Sequence, residues 1–271
     1  MRKQYLSAPL PFVGQKQMFA KEFNKVLKHD PDDAIFGDLF GGSGLLAHIT
    51  KCQKPGSTVV YNDFDNYRRR LENIPQTNAL LDRIREITQI VPRKKALPKE
   101  LKESILRLIE REEADNGYVD YITLSTSLLF SMKYATNLDR LRKETFYNTV
   151  RKCSYDLCFD YLDGLEVVSY DYRELFNKYK DIPNVVFLID PPYLSTEVGT
   201  YTMDWGLSDY LDVLQTLVGT NYIYFTSNKS SIIELCEWMG RNNAIGNPFT
   251  GSERIEFNAR NSVQNGILTT M

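Results

Sequence analysis

Short apolar runs alternate with amphipathic stretches along most of the chain, and this alternation predicts strands separated by helices. Residues 185–189, Val-Val-Phe-Leu-Ile, are apolar without a break, which is typical of a strand buried on both faces. Other apolar runs predict strands at 35–40, 58–62, 165–170 and 222–225. The last residues, 266–271, could form an edge strand.

Apolar residues that recur every three or four positions predict helices between these strands. The predicted helices cover 15–28, 71–90, 98–114 and 209–218. Ser208 could cap the last of them. Residues 121–134 are apolar enough to pack against a core.

The run at 185–189 ends in Asp190-Pro191-Pro192-Tyr193. The two prolines stiffen the backbone and remove two amide donors, so carbonyl oxygens near Asp190 are available as acceptors. Ligands bind at the carboxyl ends of strands in open α/β sheets. Acceptors beside the Tyr193 ring suit a flat group that bears an NH2, although an ordinary Asp-Pro turn would have the same sequence.

A glycine-rich turn follows the strand predicted at 35–40. Gly42 and Gly44 would let the backbone approach a nucleotide-like ligand, because neither has a Cβ. The spacing is not that of the dinucleotide fingerprint, and no Gly-Lys-Ser/Thr follows, so phosphate binding is not indicated. A plain turn at the start of a helix is the alternative.

Acidic residues follow two further predicted strands. Asp63 comes after the run at 58–62, where an acid can bind ribose hydroxyls, and Asp65 could cap the next helix. Asp171 comes after the run at 165–170 and could accept a hydrogen bond from an adenine amino group. Asp171 could equally do no more than cap the helix that follows it.

Taken together, these tracts resemble the N6-adenine DNA methyltransferases of the Dam-like, D12 class, in the order of the alpha group. The family's catalytic Asp-Pro-Pro-Tyr matches residues 190–193, and its Phe-x-Gly-x-Gly cofactor tract matches Phe40, Gly42 and Gly44. Its N-terminal segment ending Gly-x-Lys is similar to residues 11–16. The resemblance implies a Rossmann-like methyltransferase fold with a mixed, mostly parallel sheet and an inserted, mainly helical target-recognition subdomain.

The resemblance implies transfer of a methyl group from S-adenosyl-L-methionine to the N6 amino group of adenine in a specific double-stranded DNA sequence. The catalytic residues would be Asp190, Pro191, Pro192 and Tyr193. The cofactor-binding residues would be Phe12, Gly14, Lys16, Asp38, Phe40, Gly42, Gly44, Asp63 and Asp171. Methylation of RNA or of a protein amide is the alternative within the same chemistry, and a non-catalytic DNA-binding module is the alternative outside it.

A base inside a duplex must be flipped out to reach such a pocket, so part of the chain must hold the DNA. We expect residues 1–67 and 165–271 to form the catalytic domain and the insert 68–164 to bind DNA. Within it, residues 133–152 carry a net charge of +4. The candidate DNA contacts are Lys133, Asn137, Arg140, Arg142, Lys143, Arg151 and Lys152. An ordinary solvated surface is the alternative, also for the secondary candidates 68–70 and 93–95.

Composition limits the remaining choices. The net charge of −2 over 271 residues argues against binding nucleic acid through bulk charge, so any grip on DNA must be local. The four cysteines and two histidines show no metal-site spacing, and His48 is expected to be structural. No apolar run reaches the roughly 18 residues of a membrane span. We expect a cytoplasmic monomer that could have a cognate restriction endonuclease.

Overall fold

The computed structural model describes residues 3–130, 133–192, 205–227, 230–241, 246–258 and 265–271. It divides the chain into two compact units. The first unit comprises Met1–Ala8, Gly14–Tyr67 and Asp160–Met271, and the second comprises Pro9–Val13 and Arg68–Phe159.

A seven-stranded sheet forms the centre of the first unit. Its strands are β1 (Ile35–Asp38), β2 (Thr58–Asn62), β3 (Glu166–Val168), β4 (Val185–Ile189), β5 (Asn221–Ser227), β6 (Glu253–Asn258) and β7 (Asn265–Thr270). The strand order is β3-β2-β1-β4-β5-β7-β6. The first five strands of that order are parallel, whereas β7 is antiparallel to both of its neighbours. The predicted α/β fold with a mixed, mostly parallel sheet is therefore confirmed.

The expectation that the last residues form an edge strand is wrong. β7 lies between β5 and β6, and β6 was not predicted from the sequence. β6 has only two apolar side chains, Ile255 and Phe257, which alternate with polar residues and pack partly against the core. Phe257 lies over Gly266 of β7, which has no side chain to block the ring.

The helices of the described ranges lie at each of the four places predicted from periodicity and at others, such as 138–143 and 232–240, that were not predicted. They are α1 (Ala20–Val26), α2 (Leu45–Gln53), α3 (Tyr67–Glu72), α4 (Ile74–Thr88), α5 (Lys99–Asn116), α6 (Tyr121–Leu128), α7 (Leu138–Lys143), α8 (Tyr172–Tyr179), α9 (Leu207–Leu217) and α10 (Ile232–Gly240). The helix predicted at 71–90 begins earlier and is two helices, with Pro75 in the first turn of α4, where its missing amide costs little.

Two apolar layers cover the sheet. Side chains of α1 and α2 pack on one face, around Phe36, Leu188 and Phe225. Side chains of α8, α9 and α10 pack on the other face, around Phe187 and Tyr224. Alternate residues of β4 and β5 thus enter opposite cores, so that both faces of these strands are buried, as their unbroken apolar runs predicted.

The cap of α9 differs from its prediction. Gly206 is the N-cap residue, and its amide donates to Oδ2 of Asp209 at 2.9 Å. Ser208 lies inside the helix and does not cap it. The helix starts two residues earlier than predicted because Asp209, three positions after Gly206, supplies the acceptor at its first turn.

The second unit is helical and is held by a buried ion pair. Arg70 is 6% exposed, and its Nε lies 3.1 Å from Oδ2 of Asp120. Arg70 Nη2 also donates to the carbonyl of Pro11 at 2.7 Å, which ties the short segment 9–13 to this unit. The candidate role of Arg70 as a phosphate contact is therefore wrong, because its guanidinium is satisfied in the interior.

The chain of the first unit departs at Tyr67 and returns at Asp160. These two points are neighbours, since the rings of Tyr67 and Tyr161 lie 6.4 Å apart. His48, fully buried beside them, stacks on Tyr161 with 4.8 Å between ring centroids, and Nε2 of His48 accepts from the Tyr5 amide at 3.0 Å. Within the described ranges, every helix is too short or too polar to cross a bilayer.

Candidate active site

The candidate site lies where the strand order of the sheet changes direction. β1 and β4 are adjacent and parallel, with Asp38 opposite Leu188, while the strands that follow each of them lie on opposite sides. Crossover connections diverge at such a point and leave a crevice at the carboxyl ends of the strands. Asp38 ends β1 and Asp190 directly follows β4, so both acids reach this one edge.

Asp190 is largely enclosed and is held on one side. Its Oδ2 lies 2.7 Å from Nζ of Lys16, and its side chain is 18% exposed. Its Oδ1 is buried and has no hydrogen-bond partner among the described residues. Burial raises the pKa of Asp190, and the neighbouring Lys16 ammonium opposes that rise. The carboxyl group therefore presents one unused acceptor at the sheet edge.

The two prolines follow Asp190 at the carboxyl end of β4. Pro191 is buried and Pro192 is partly exposed. Tyr193, the predicted stacking residue, lies outside the described residues.

Gly14 and Lys16 form a local loop at the same site. Gly14 has a φ of 78°, a left-handed conformation that favours glycine, and its carbonyl accepts from Nζ of Lys16 at 2.7 Å. Lys16 is 8% exposed. Phe12, which the same motif includes, belongs to the second unit.

Asp38 is more deeply buried than Asp190. It is 1% exposed, its Oδ1 accepts from the Gly41 amide at 2.9 Å, and its Oδ2 has no partner among the described residues. Burial raises the pKa of Asp38 to about 7, with a further rise from the charge of Asp190 and opposing effects of the Gly41 and Ala47 amides and of Lys16. Asp38 is thus a second acceptor whose charge changes near neutral pH.

The glycine turn is left-handed at Gly41, Gly42 and Gly44, with φ of 48°, 54° and 70°. Gly41 is the most constrained of these, because a Cβ there would lie 2.0 Å from the carbonyl oxygen of Asn62. Sequence reasoning assigned Gly41 no role beyond its small size. The turn is also held by the Tyr61 hydroxyl, which lies 2.8 Å from the Gly42 carbonyl.

Phe40 packs in an aromatic cluster. Its ring stacks on Tyr172 with 5.1 Å between centroids, and Trp205 lies 5.8 Å away. Trp205 is 9% exposed and also contacts Tyr210, so it is a packing residue. The cluster connects the glycine tract with the first turn of α8 and the start of α9.

Asp63 and Asp171 differ in their surroundings. Asp63 is 5% exposed, and its Oδ1 accepts from the Tyr67 amide at 2.6 Å and lies 3.0 Å from the Tyr61 hydroxyl. Asp171 is exposed and caps α8, with Oδ1 accepting from the Arg173 amide at 2.8 Å. The capping alternative for Asp171 is confirmed, and its binding role stays a prediction.

Asn62 was missed by sequence reasoning, although it aligns these strand ends. Its Nδ2 donates to the carbonyls of Leu39 and Tyr170 at 2.8 and 3.0 Å, and its Oδ1 accepts from the Tyr170 amide at 2.9 Å. The side chain therefore joins the ends of β1, β2 and β3. A single Asn at a strand end carries no signal in the sequence that would distinguish this role from a turn.

The predicted DNA-binding residues lie in the second unit and fall into two groups. Lys133 pairs with Glu144 at 2.6 Å, and Arg142 lies 3.7 Å from Glu110. Asn137 caps α7 through the Arg140 amide, and Arg151 lies over the Tyr155 ring at 4.4 Å. The side chains that are exposed and have no partner among the described residues are Arg140, Lys143 and Lys152.

Among the secondary basic candidates, Arg93 also forms hydrogen bonds within the protein. Its Nη1 donates to the Val150 carbonyl at 2.5 Å and lies 3.2 Å from Oδ1 of Asn148. Arg93 therefore fixes the loop before α5, although the residue is exposed and its charge is not paired with an acid among the described residues.

Comparison with known proteins agrees with this geometry. Residues 12–216 match the model of the D12 class N6 adenine-specific DNA methyltransferases. The chain is 39% identical over 245 residues to a Haemophilus influenzae protein named "Putative methyltransferase", which covers 88% of this chain and 81% of that relative. The match includes both Asp38 and Asp190 and the whole second unit except Pro9–Pro11. The chain belongs to the D12 class of N6 adenine-specific DNA methyltransferases, and it is therefore an adenine-specific DNA methyltransferase.

Proposed function

We propose that the protein transfers the methyl group of S-adenosyl-L-methionine to N6 of an adenine that is flipped out of a specific double-stranded DNA sequence. The observation that carries the proposal is the buried Oδ1 of Asp190 at the switch point of the sheet, which has no hydrogen-bond partner among the described residues. A buried acceptor without a partner is costly unless a ligand supplies the missing donor. An adenine amino group is a donor of the required kind.

Asp190 would act by orienting the amine. The lone pair of an adenine amino nitrogen is delocalised into the ring, which makes the nitrogen a poor nucleophile. Oδ1 of Asp190 and a backbone carbonyl, which we assign to Pro191, would each accept one N–H and favour a tetrahedral nitrogen. Positioning of this kind can supply roughly 7–11 kcal/mol of a barrier.

The residues around Asp38 suit a cationic methyl donor. S-adenosyl-L-methionine, when bound, would supply an electrophilic methyl group on a positively charged sulfur. The buried Asp38 carboxylate offers a negative charge, and the turn at Gly41, Gly42 and Gly44 presents backbone without side chains. Asp63 and Asp171 complete the proposed donor site, together with Gly14 and Phe40, whereas the donor contacts of Phe12 and Lys16 stay predictions from the sequence.

The charge balance of transfer also fits this site. When bound, the donor would supply its methyl carbon to the lone pair of N6. The electron pair of the broken carbon–sulfur bond would stay on sulfur. The nitrogen then carries a positive charge and loses one proton. The Asp190 carboxylate would stabilise that charge as it develops and need not be a strong base, because the methylated nitrogen is acidic.

The second unit would hold the duplex. Arg140, Lys143 and Lys152 are exposed cations without internal partners among the described residues, which suits contacts to phosphates. Lys133, Arg142, Arg151 and Asn137 would need to exchange their present contacts for DNA. A monomeric state and a cognate restriction endonuclease stay predictions.

Transfer of a labelled methyl group tests the proposal directly. The wild type is given labelled S-adenosyl-L-methionine with methyl-free duplex DNA, structured RNA or protein, and the product is hydrolysed and identified by chromatography. We expect N6-methyladenine from duplex DNA. Asp190→Ala should abolish transfer while donor binding, measured by calorimetry, stays within about threefold of wild type.

The matched control is Asp181→Ala, because Asp181 is an exposed carboxylate in the turn before β4 without a partner among the described residues. Its transfer rate should equal that of wild type. Preferential labelling of RNA or protein would contradict the proposed substrate. Loss of donor binding in Asp190→Ala would contradict the proposed role of Asp190.

A further inference from the structure

Lys16 is a buried cation, and its partners include two oxygens of neighbouring residues. Its Nζ lies 2.7 Å from Oδ2 of Asp190 and donates to the Gly14 carbonyl at 2.7 Å. A motif that brings Gly14 and Lys16 to the donor site suggests a direct contact with the methyl donor. The geometry points instead to Lys16 as a positioning residue, which holds the Asp190 carboxylate so that Oδ1 is presented to the amine. This inference rests on the proposed function.

The backbone around Lys16 is rigid enough for that task. Gly14 adopts a left-handed φ of 78°, which turns its carbonyl toward the ammonium two residues later. The Lys16 carbonyl accepts from the Phe19 amide at 2.9 Å, and Phe19 is fully buried in the core beside α1. A lysine side chain has four rotatable bonds, but burial and two anchored oxygens restrict it to one arrangement.

The ion pair makes the two oxygens of Asp190 unequal. Oδ2 accepts a charge-assisted hydrogen bond, whereas Oδ1 is buried and has no partner among the described residues. Rotation of the carboxyl group would break the contact with Lys16 and leave a charge unpaired in the interior. Lys16 therefore fixes which oxygen is available and where it points.

Lys16 also favours the charged form of Asp190, in which both carboxylate oxygens accept hydrogen bonds. Burial raises the pKa of Asp190, and Lys16 is the group that lowers it. Asp38, which ends the neighbouring strand β1, is a further charged group at this edge. The negative charges of Asp38 and Asp190 repel each other, so that Asp190 raises the pKa of Asp38. Removal of the ammonium would therefore raise the pKa of Asp190 further and move its ionisation to higher pH.

A pair of lysine variants tests the inference. Lys16→Met keeps the length of the side chain but removes its charge, and Lys16→Arg keeps the charge. In single-turnover transfer we expect Lys16→Met to be slower by about 100-fold, the usual effect of a misplaced reacting group. The deficit should be largest at low pH and narrow as pH rises, because Asp190 becomes ionised only at higher pH. Lys16→Arg should recover part of the rate.

Lys54→Met is the matched structural control. Lys54 is 6% exposed, its Nζ lies 2.7 Å from Oδ1 of Asp32, and it donates to the Asp30 carbonyl at 2.6 Å. It thus has the same kinds of partner as Lys16 but lies near the amino ends of the strands. Both methionine variants should lower the melting temperature, whereas only Lys16→Met should change the rate and its pH profile.

Two outcomes would overturn the inference. One is a Lys16→Met variant that binds S-adenosyl-L-methionine more than tenfold more weakly and keeps the wild-type pH profile, which would make Lys16 a donor contact. The other is an unchanged titration of the Asp190 carboxyl in Lys16→Met, followed by nuclear magnetic resonance of isotope-labelled aspartate. The titration needs no turnover, so failure of wild-type transfer would refute the proposed function and leave the inference separately tested.

Discussion

Asp38 shows how burial changes the chemistry of a single residue. In the unfolded chain its carboxyl group ionises near its ordinary value of 3.8, whereas in the folded protein its pKa is about 7. The folded protein therefore holds a proton that the unfolded chain has released, and Asp38 lowers stability as pH rises through that interval. A residue retained at such a cost is expected to serve a ligand.

The affinity for S-adenosyl-L-methionine should depend on the ionisation of Asp38. A cationic donor favours the charged carboxylate, so we expect its dissociation constant to fall about tenfold between pH 6 and pH 8. Asp38→Asn should bind more weakly and lose most of this dependence. Asp190→Asn should shift the dependence to lower pH, because the Asp190 charge helps to raise the pKa of Asp38.

Isothermal titration calorimetry in buffers of different ionisation enthalpy would measure both the affinity and the protons released. As a control without ligand, Asp38→Asn should melt higher than wild type at pH 8 and gain less at pH 5. An affinity that is constant across this range in the wild type would show that Asp38 does not bind the donor.

At the scale of elements, the turn between β1 and α2 is fixed by Gly41. A Cβ added at Gly41 would collide with the Asn62 carbonyl. The side chain of Asn62 in turn joins the ends of β1, β2 and β3. The turn and the neighbouring strand ends are therefore one packed element. A change in the turn must move β2 or abandon the left-handed backbone.

Gly41→Ala should lower the free energy of unfolding by about 3 kcal/mol or more, since it combines backbone strain with a clash against main chain. The control is Gly117→Ala, which has a φ of 67° but no atom within 4 Å of the added Cβ. Strain alone should cost that variant about 1–2 kcal/mol. Equal destabilisation of the two variants in urea denaturation would show that Asn62 moves aside freely.

Strand ends were the part of the site that the sequence could predict. Apolar runs located β1, β2 and β4, although β1 was predicted to continue to residue 40 and ends at Asp38. Parallel pairing of β1 and β4 then brings Asp38 and Asp190 to one edge. The contact between Lys16 and Asp190 could not be predicted, because it joins residues far apart in the chain through side-chain conformation. β6 was missed because two apolar residues give too short an alternation to separate a strand from a loop.

For the whole molecule, the net charge of −2 means that DNA must be held by a local group of cations. Basic residues that are paired with acids, such as Arg70 and Lys133, reduce the number available. Arg140, Lys143 and Lys152 have no such partner among the residues that the structure describes, which makes them the principal phosphate candidates.

Reversal of these three charges together, to Glu, should weaken duplex binding. It should also reduce the slope of log affinity against log salt by about 0.9 for each phosphate that the protein no longer neutralises. Donor affinity should not change. The control reverses three exposed lysines of the first unit, Lys21, Lys28 and Lys180, and so has the same net charge. Equal weakening by both sets, in fluorescence anisotropy across a salt series, would show that bulk charge governs binding.

The adjacency of Tyr67 and Tyr161 has an evolutionary consequence. Because residues 68–159 leave and rejoin the sheet-bearing unit at neighbouring points, the sheet does not restrict the length of this stretch. If the stretch holds the duplex, as we propose, its replacement would change the sequence preference and leave the methyl-transfer unit intact. The exchange must preserve one link, an arginine at position 70 that reaches the Pro11 carbonyl.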